Sequence, residues 1–171
     1  AVVMLAGVSD LRLGREELAL VDPVSGDRLT DPDDKRAAWQ ASLSRTLATL
    51  QGWGIATVVV HPVPRFPDWA DPDLCAAATV LVDQSRCGAT RAEADARASA
   101  APAIEAERAA VAEVPGAVAL DLWPDLCDGG RCATFRLDSW WFSDSNHLTV
   151  HGSEYLAPVL AASMSDALDR D

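Results

Sequence analysis

Residues 55–67 read Ile55-Ala56-Thr57-Val58-Val59-Val60-His61-Pro62-Val63-Pro64-Arg65-Phe66-Pro67. The first six form an unbroken apolar run rich in β-branched side chains, as expected of a strand covered on both faces. Prolines at 62, 64 and 67 then remove ladder donors, so the chain must leave the sheet just after His61. A strand buried on both faces needs helices above and below it, and the flanking sequence supplies them.

Upstream, the spacing predicts a helix over 32–52. Pro32 suits a first turn, and Asp31, Asp33 and Asp34 complement the helix dipole. Trp39, Leu43, Leu47 and Leu50 recur on one face, and Gly52 and Gly54 end the run. Earlier still, residues 1–6 read as another buried strand, closed by Gly7-Val8-Ser9-Asp10 and followed by a Gly/Asp/Pro loop to Asp31. Downstream, 67–89 is a Pro- and Asp-containing excursion. Thr90-Arg91-Ala92-Glu93 reads as a capping box opening an alanine-rich helix to about residue 113, bent at Pro102. Ala117-Val118-Ala119-Leu120-Asp121 is a third strand, 122–146 a polar loop bearing tryptophans, and Thr149 the cap of a last helix. That helix places Leu156, Val159, Leu160 and Met164 on one face, with a kink at Pro158. Strand and helix alternate three times. The order predicts a single α/β domain over 1–171, a three-layer α/β/α sandwich around a parallel sheet. Three strands make a thin sheet and the chain opens inside a strand, so further N-terminal strands are expected beyond these 171 residues.

Composition narrows the function. Apolar residues are 49% and charged residues 23%, which suits a packed globular domain, and no apolar run approaches a membrane span. A net charge of −12 repels phosphate backbones and anionic lipid headgroups, so nucleic acid is excluded as a partner. Neither a glycine-rich phosphate loop nor a credible metal cluster is present, and no cofactor is expected. The four cysteines, at 75, 87, 127 and 132, lack zinc-knuckle spacing. Two local disulfides, Cys75–Cys87 and Cys127–Cys132, are the preferred pairing and would imply an oxidising compartment. Four reduced, semi-buried thiols are the alternative.

In open α/β sheets sites form at the carboxyl ends of strands. Three polar clusters fall there: Gly7–Asp10, His61–Arg65, and the loop ahead of the last helix. The last reads Phe142-Ser143-Asp144-Ser145-Asn146-His147-Leu148-Thr149. One tight turn can bring the Asp144 carboxylate onto His147 Nδ1, leaving Nε2 to take a proton from a hydroxyl nucleophile. Taken alone, Asp-x-x-His is a weak signal, and a satisfied loop histidine is its commoner meaning. His61 can line the site, although its prolines favour a structural role in the loop. Trp123, Trp140, Trp141 and Phe142 offer either a sugar-stacking platform or ordinary packing. His151 reads as solvated.

Position adds weight to the Asp–His pair. The chain resembles the SGNH hydrolase superfamily, and more narrowly the SGNH domain fused to membrane proteins of the acyltransferase 3 family. The residues carrying the resemblance are Val3-Met4-Leu5-Ala6, Leu43, Leu47, Leu50, the Val58–Pro67 run, Cys75, Cys87-Gly88, Arg91, Cys127-Asp128-Gly129-Gly130-Arg131-Cys132, and the Asp144–Thr149 block followed by Gly152. The resemblance implies an SGNH/flavodoxin-like fold and a Ser-His-Asp site for acyl transfer or ester hydrolysis, with Asp144 orienting and His147 as general base. The implied partners are a carbohydrate acceptor and an acyl donor delivered by a fused or associated membrane acyltransferase domain, on the extracytoplasmic face of the membrane. A catalytically inactive carbohydrate-binding or scaffolding module is the alternative. Gly7-Val8-Ser9-Asp10 stands where the superfamily has Gly-x-Asn-Asp, so Gly7 and Ser9 are oxyanion or pocket candidates, with Ser9 in the place of the Asn donor. The superfamily's nucleophilic Gly-Asp-Ser does not occur: the one Gly-Asp pair, Gly26-Asp27, precedes Arg28. The serine is expected from a segment ahead of Ala1, with Ser9 as the less favoured nucleophile.

Overall fold

The computed structural model describes residues 1–7, 9–14, 18–69 and 87–170. Along the chain come β1 (Val2–Ala6), α1 (Ser9–Gly14), β2 (Leu20–Val21), β3 (Arg28–Leu29), α2 (Pro32–Gly52) and β4 (Ala56–Val60). Then follow β5 (Thr90–Ala92), α3 (Glu93–Ala112), β6 (Ala117–Leu120), α4 (Trp123–Leu126), β7 (Cys127–Asp128), β8 (Arg131–Ala133), β9 (Phe135–Arg136), β10 (Ser139–Trp140) and α5 (Val150–Leu168). Two compact units result, one of Ala1–Pro62, Ser99–Asp121 and Ala161–Asp171, the other of Val63–Ala98 and Leu122–Leu160.

The first unit holds a parallel sheet in the order β1-β4-β6, packed by helices, in the layered α/β arrangement the alternation predicts. β4 is central and all five of its residues are buried, which is why its sequence does not alternate. Ala6 pairs with Val60 and Val60 with Leu120, so the three strands end level with one another. Asp31 caps α2, its carboxylate accepting the amides of Asp33 and Asp34 at 2.9 and 3.2 Å. Leu47 from α2 meets Val59 from β4 and Ala110 and Val114 from the α3 side, with Leu5, Leu43, Val111 and Ala117 around them. On α3 the buried stripe is made of small side chains: Ala100, Ala103, Ala106 and Ala110 are all buried.

In the second unit β5, β8 and β7 form an antiparallel sheet. Asp128 pairs with Arg131, leaving Gly129 and Gly130 as a two-residue hairpin loop with φ of +54° and +76°. Both angles lie in the left-handed region that a type I′ turn demands, hence the Gly-Gly. Cys127 and Cys132 face each other across that hairpin and are joined by a disulfide. Cys75 of the second expected bridge, Cys75–Cys87, lies outside the described residues.

Three local expectations are corrected. The span from Asp10 to Asp31 is not one loop, since α1 and the short β2–β3 hairpin lie within it. Thr90 caps nothing: it belongs to β5, and the first helical amide, Glu93 N, donates to Gly130 O instead. The 122–146 stretch contains α4 and two hairpins rather than open loop. Of the two readings left open for the aromatic residues, ordinary packing is the one seen, for Trp123, Trp141 and Phe142 are buried. Trp140 is half-buried and stacks on Trp69 at 5.6 Å, so the cluster packs the second unit rather than presenting ring faces.

Candidate functional site

The segment between β10 and α5 is shaped by one short carboxylate. Asp144 Oδ1 accepts the amides of Asn146 at 2.9 Å and His147 at 2.8 Å. Aspartate favours such a turn because its short side chain reaches the amides two and three residues ahead. Ser143 N donates to His147 O at 2.8 Å, and Phe142 bridges Leu148, which closes the loop on itself. Ser145 O accepts Phe66 N at 2.8 Å, fastening the loop to the proline-rich run that follows β4.

Beyond the loop, Thr149 caps α5. Its Oγ1 accepts Gly152 N at 3.0 Å and donates to Trp140 O at 2.6 Å, while its own amide donates to Trp141 O at 3.0 Å. Gly152 is required by contact. A Cβ there would stand 2.4 Å from Trp141 O, inside any tolerable separation.

The same turn brings Asp144 Oδ2 to 2.6 Å from His147 Nδ1. Burial raises the Asp144 carboxyl's pKa, but the Asn146 amide, the His147 ring and the His147 amide together outweigh it, holding the carboxyl below its ordinary 3.8. An ionised carboxylate accepts, so Nδ1 carries the proton and Nε2 keeps its lone pair. The His147 side chain is 70% exposed and that of Asp144 39%, so the ring meets solvent while its partner is half-sheltered. Chemically, the arrangement is a carboxylate-oriented imidazole able to accept a proton at Nε2.

The other candidates belong to the first unit and do not make this pair. Gly7 is exposed, and a Cβ on it would meet nothing within 4 Å, so no close approach demands glycine. Ser9 opens α1, is 1% exposed, and donates its hydroxyl to Glu107 Oε1 at 2.5 Å. His61, immediately past β4, is 2% exposed and sets Nδ1 2.8 Å from Glu107 Oε2. Glu107 was not singled out from the sequence, although a signal existed. It lies on the helical stripe Ala100, Ala103, Ala110, Val114, where each neighbour is buried and apolar. A carboxylate at such a position requires partners. His151 is exposed.

The family described as "SGNH domain (fused to AT3 domains)" matches residues 2–162. The chain belongs to that family. The match spans both units, from β1 into α5, and includes the Asp144–His147 loop. Neither the curated proteins nor the solved structures offer a match to this SGNH domain. Membership associates it with membrane acyltransferase-3 domains. Among its described residues no helix is long and apolar enough to cross a membrane.

Proposed function

We propose that this SGNH domain carries out acyl transfer or ester hydrolysis, O-acetyl groups being the preferred cargo, on cell-surface carbohydrate. The observation supporting this most directly is the Asp144 Oδ2–His147 Nδ1 hydrogen bond of 2.6 Å on a ring whose side chain is 70% exposed. In this reading His147 Nε2 takes the proton of a serine hydroxyl as its oxygen attacks the acyl carbonyl. Asp144 fixes the tautomer and stabilises the imidazolium, which then returns the proton to the leaving group. A sugar hydroxyl attacking the acyl-serine completes a transfer, and water completes a hydrolysis. Hydrogen-bond donors aimed at the tetrahedral oxyanion contribute about 3–4 kcal/mol each in such sites.

The serine is proposed to come from a segment preceding Ala1 in the complete protein. Ser9 is a poor substitute because its hydroxyl is buried and already donated to Glu107. The acyl donor would be delivered by the membrane acyltransferase domain, and the Cys127–Cys132 disulfide supports an extracytoplasmic location. The test is hydrolysis of p-nitrophenyl acetate by the complete protein. Wild type should turn over the ester and His147→Ala should not; equal rates would end the proposal.

A further inference from the structure

Glu107 is the centre of a second polar cluster, one the reading above does not use. It projects from α3 into the first unit and is 4% exposed. Its Oε1 accepts Ser9 Oγ at 2.5 Å and its Oε2 faces His61 Nδ1 at 2.8 Å. Both carboxylate oxygens are therefore engaged, from two different segments of the chain. Those segments leave the sheet side by side. Ala6 of β1 pairs with Val60 of β4, so Gly7 and His61 are the first residues past two neighbouring parallel strands, and Ser9 opens α1. His61 N also donates to Leu120 O at the end of β6, which fixes the backbone under the ring. The cluster lies at the carboxyl edge of the sheet, where α/β folds build ligand sites.

The other nitrogen of the ring is unaccounted for. His61 Nε2 is fully buried and has no hydrogen-bond partner among the described residues. In a neutral ring that donates from Nδ1 to the Glu107 carboxylate, Nε2 is a lone-pair acceptor. Buried polar atoms are almost always paired, and a dangling acceptor in an apolar surrounding is destabilising.

We infer that the Ser9–Glu107–His61 cluster is a binding site for one O–H donor, received at His61 Nε2. The donor is either a tightly held water or the hydroxyl of an alcohol such as a sugar. Glu107 is the positioning residue. It locks the tautomer that makes Nε2 an acceptor, and Ser9 holds the second carboxylate oxygen so that the first stays aligned. The inference stands on the fold and does not depend on the chemistry proposed for His147.

The test reads protonation directly, by long-range proton–nitrogen correlation of the chain labelled with nitrogen-15 histidine at neutral pH. There are three histidines. His147 and His151 are exposed, so removing each in turn assigns the remaining signals to His61 without disturbing the interior. A charge-assisted bond to Glu107 should favour the Nδ1–H form of His61 by about tenfold or more. In Glu107→Gln, folded as judged by circular dichroism, that preference should fall at least severalfold. Methyl α-D-glucopyranoside is then titrated as the alcohol probe. A saturable shift of His61 Nε2 assigns the site to an alcohol. Cross-relaxation from long-lived water to the His61 ring, with no glycoside response, assigns it to water. A wild-type His61 carrying its proton on Nε2, or an Nε2 answering neither water nor glycoside, overturns the inference. Both refutations use the wild-type fold and leave the activity of His147 untouched.

Discussion

Replacing Gly152 by alanine isolates what holds the Asp144–His147 loop in place. The added Cβ would meet Trp141 O at 2.4 Å, Trp141 C at 3.2 Å and Trp141 Cα at 3.3 Å. All three are backbone atoms, so no side-chain rotation relieves the clash. Trp141 O also accepts Thr149 N at 3.0 Å, and displacing it weakens the strut on which the loop closes. Overpacking of this kind costs about 1–3 kcal/mol, and a weakened hydrogen bond adds up to about 1 kcal/mol. Alanine in a helix returns at most about 1 kcal/mol relative to glycine. The balance is a net loss of about 2 kcal/mol, equivalent to a fall of roughly 4–8 °C in Tm for a chain of this length. Thermal unfolding by circular dichroism measures it. Gly52→Ala is the control: it ends α2, and its Cβ would meet nothing within 4 Å. That variant should match wild type or exceed it slightly. If Gly152→Ala melts no lower than Gly52→Ala, the close approach to Trp141 does not shape the loop and the reasoning fails.

Asp144→Asn in the complete protein should lower ester turnover by about four orders of magnitude while leaving the fold intact, as in related triads; a loss under tenfold would remove Asp144 from the mechanism. Because its carboxyl is held below 3.8, Asp144 stabilises the loop above the ordinary carboxylate range, and that support is lost as pH falls through the lowered value. The stability gap between wild type and Asp144→Asn should therefore be constant near neutrality and close on acidification, the pair's partial exposure keeping it small. Denaturant titrations at several pH values would show this, and a gap that widens in acid would contradict it. Replacing Cys127 and Cys132 together by alanine frees a loop of only a few residues, so about 2 kcal/mol should be lost, seen as a lower denaturation midpoint than that of wild type. Asp31→Ala removes the acceptor for two α2 amides and should cost about 1 kcal/mol in the same assay.

The sheet was legible because its decisive segments are locally coded. Val58-Val59-Val60 announces a strand buried on both faces, and Asp31-Pro32 announces the helix that covers it. Misreadings arose where tertiary pairing outweighs local propensity. Thr90 and Glu93 have the spacing of a capping box, yet Thr90 and Ala133 are cross-strand partners in β5 and β8, and the ladder takes the residue from the helix. Leu137 and Asp138 form the turn between β9 and β10 with φ of +48° and +57°, where turn chemistry would call for Asn or Gly. That hairpin could not be read from its loop residues.

The two carboxylate–imidazole pairs differ in how far apart their members lie in sequence, and this decides which of them a sequence reveals. Asp144 and His147 are three residues apart, and a single turn of fixed reach sets their distance. Glu107 lies 46 positions from His61 and 98 from Ser9, so only the folded sheet and α3 bring them together. Strand-end position was enough to mark Ser9 and His61 as candidates, but it could not say that one buried carboxylate binds both. Environment then separates the roles that the same chemistry can play. An imidazole whose side chain is 70% exposed is open to solvent, the setting that the proposed general base requires. One that is 1% exposed, 2.8 Å from a carboxylate 5% exposed, is held in one orientation and suits a fixed hydrogen-bonding site. His147 and His61 are thus the same pair of functional groups divided by burial, which is why each needs a different experiment.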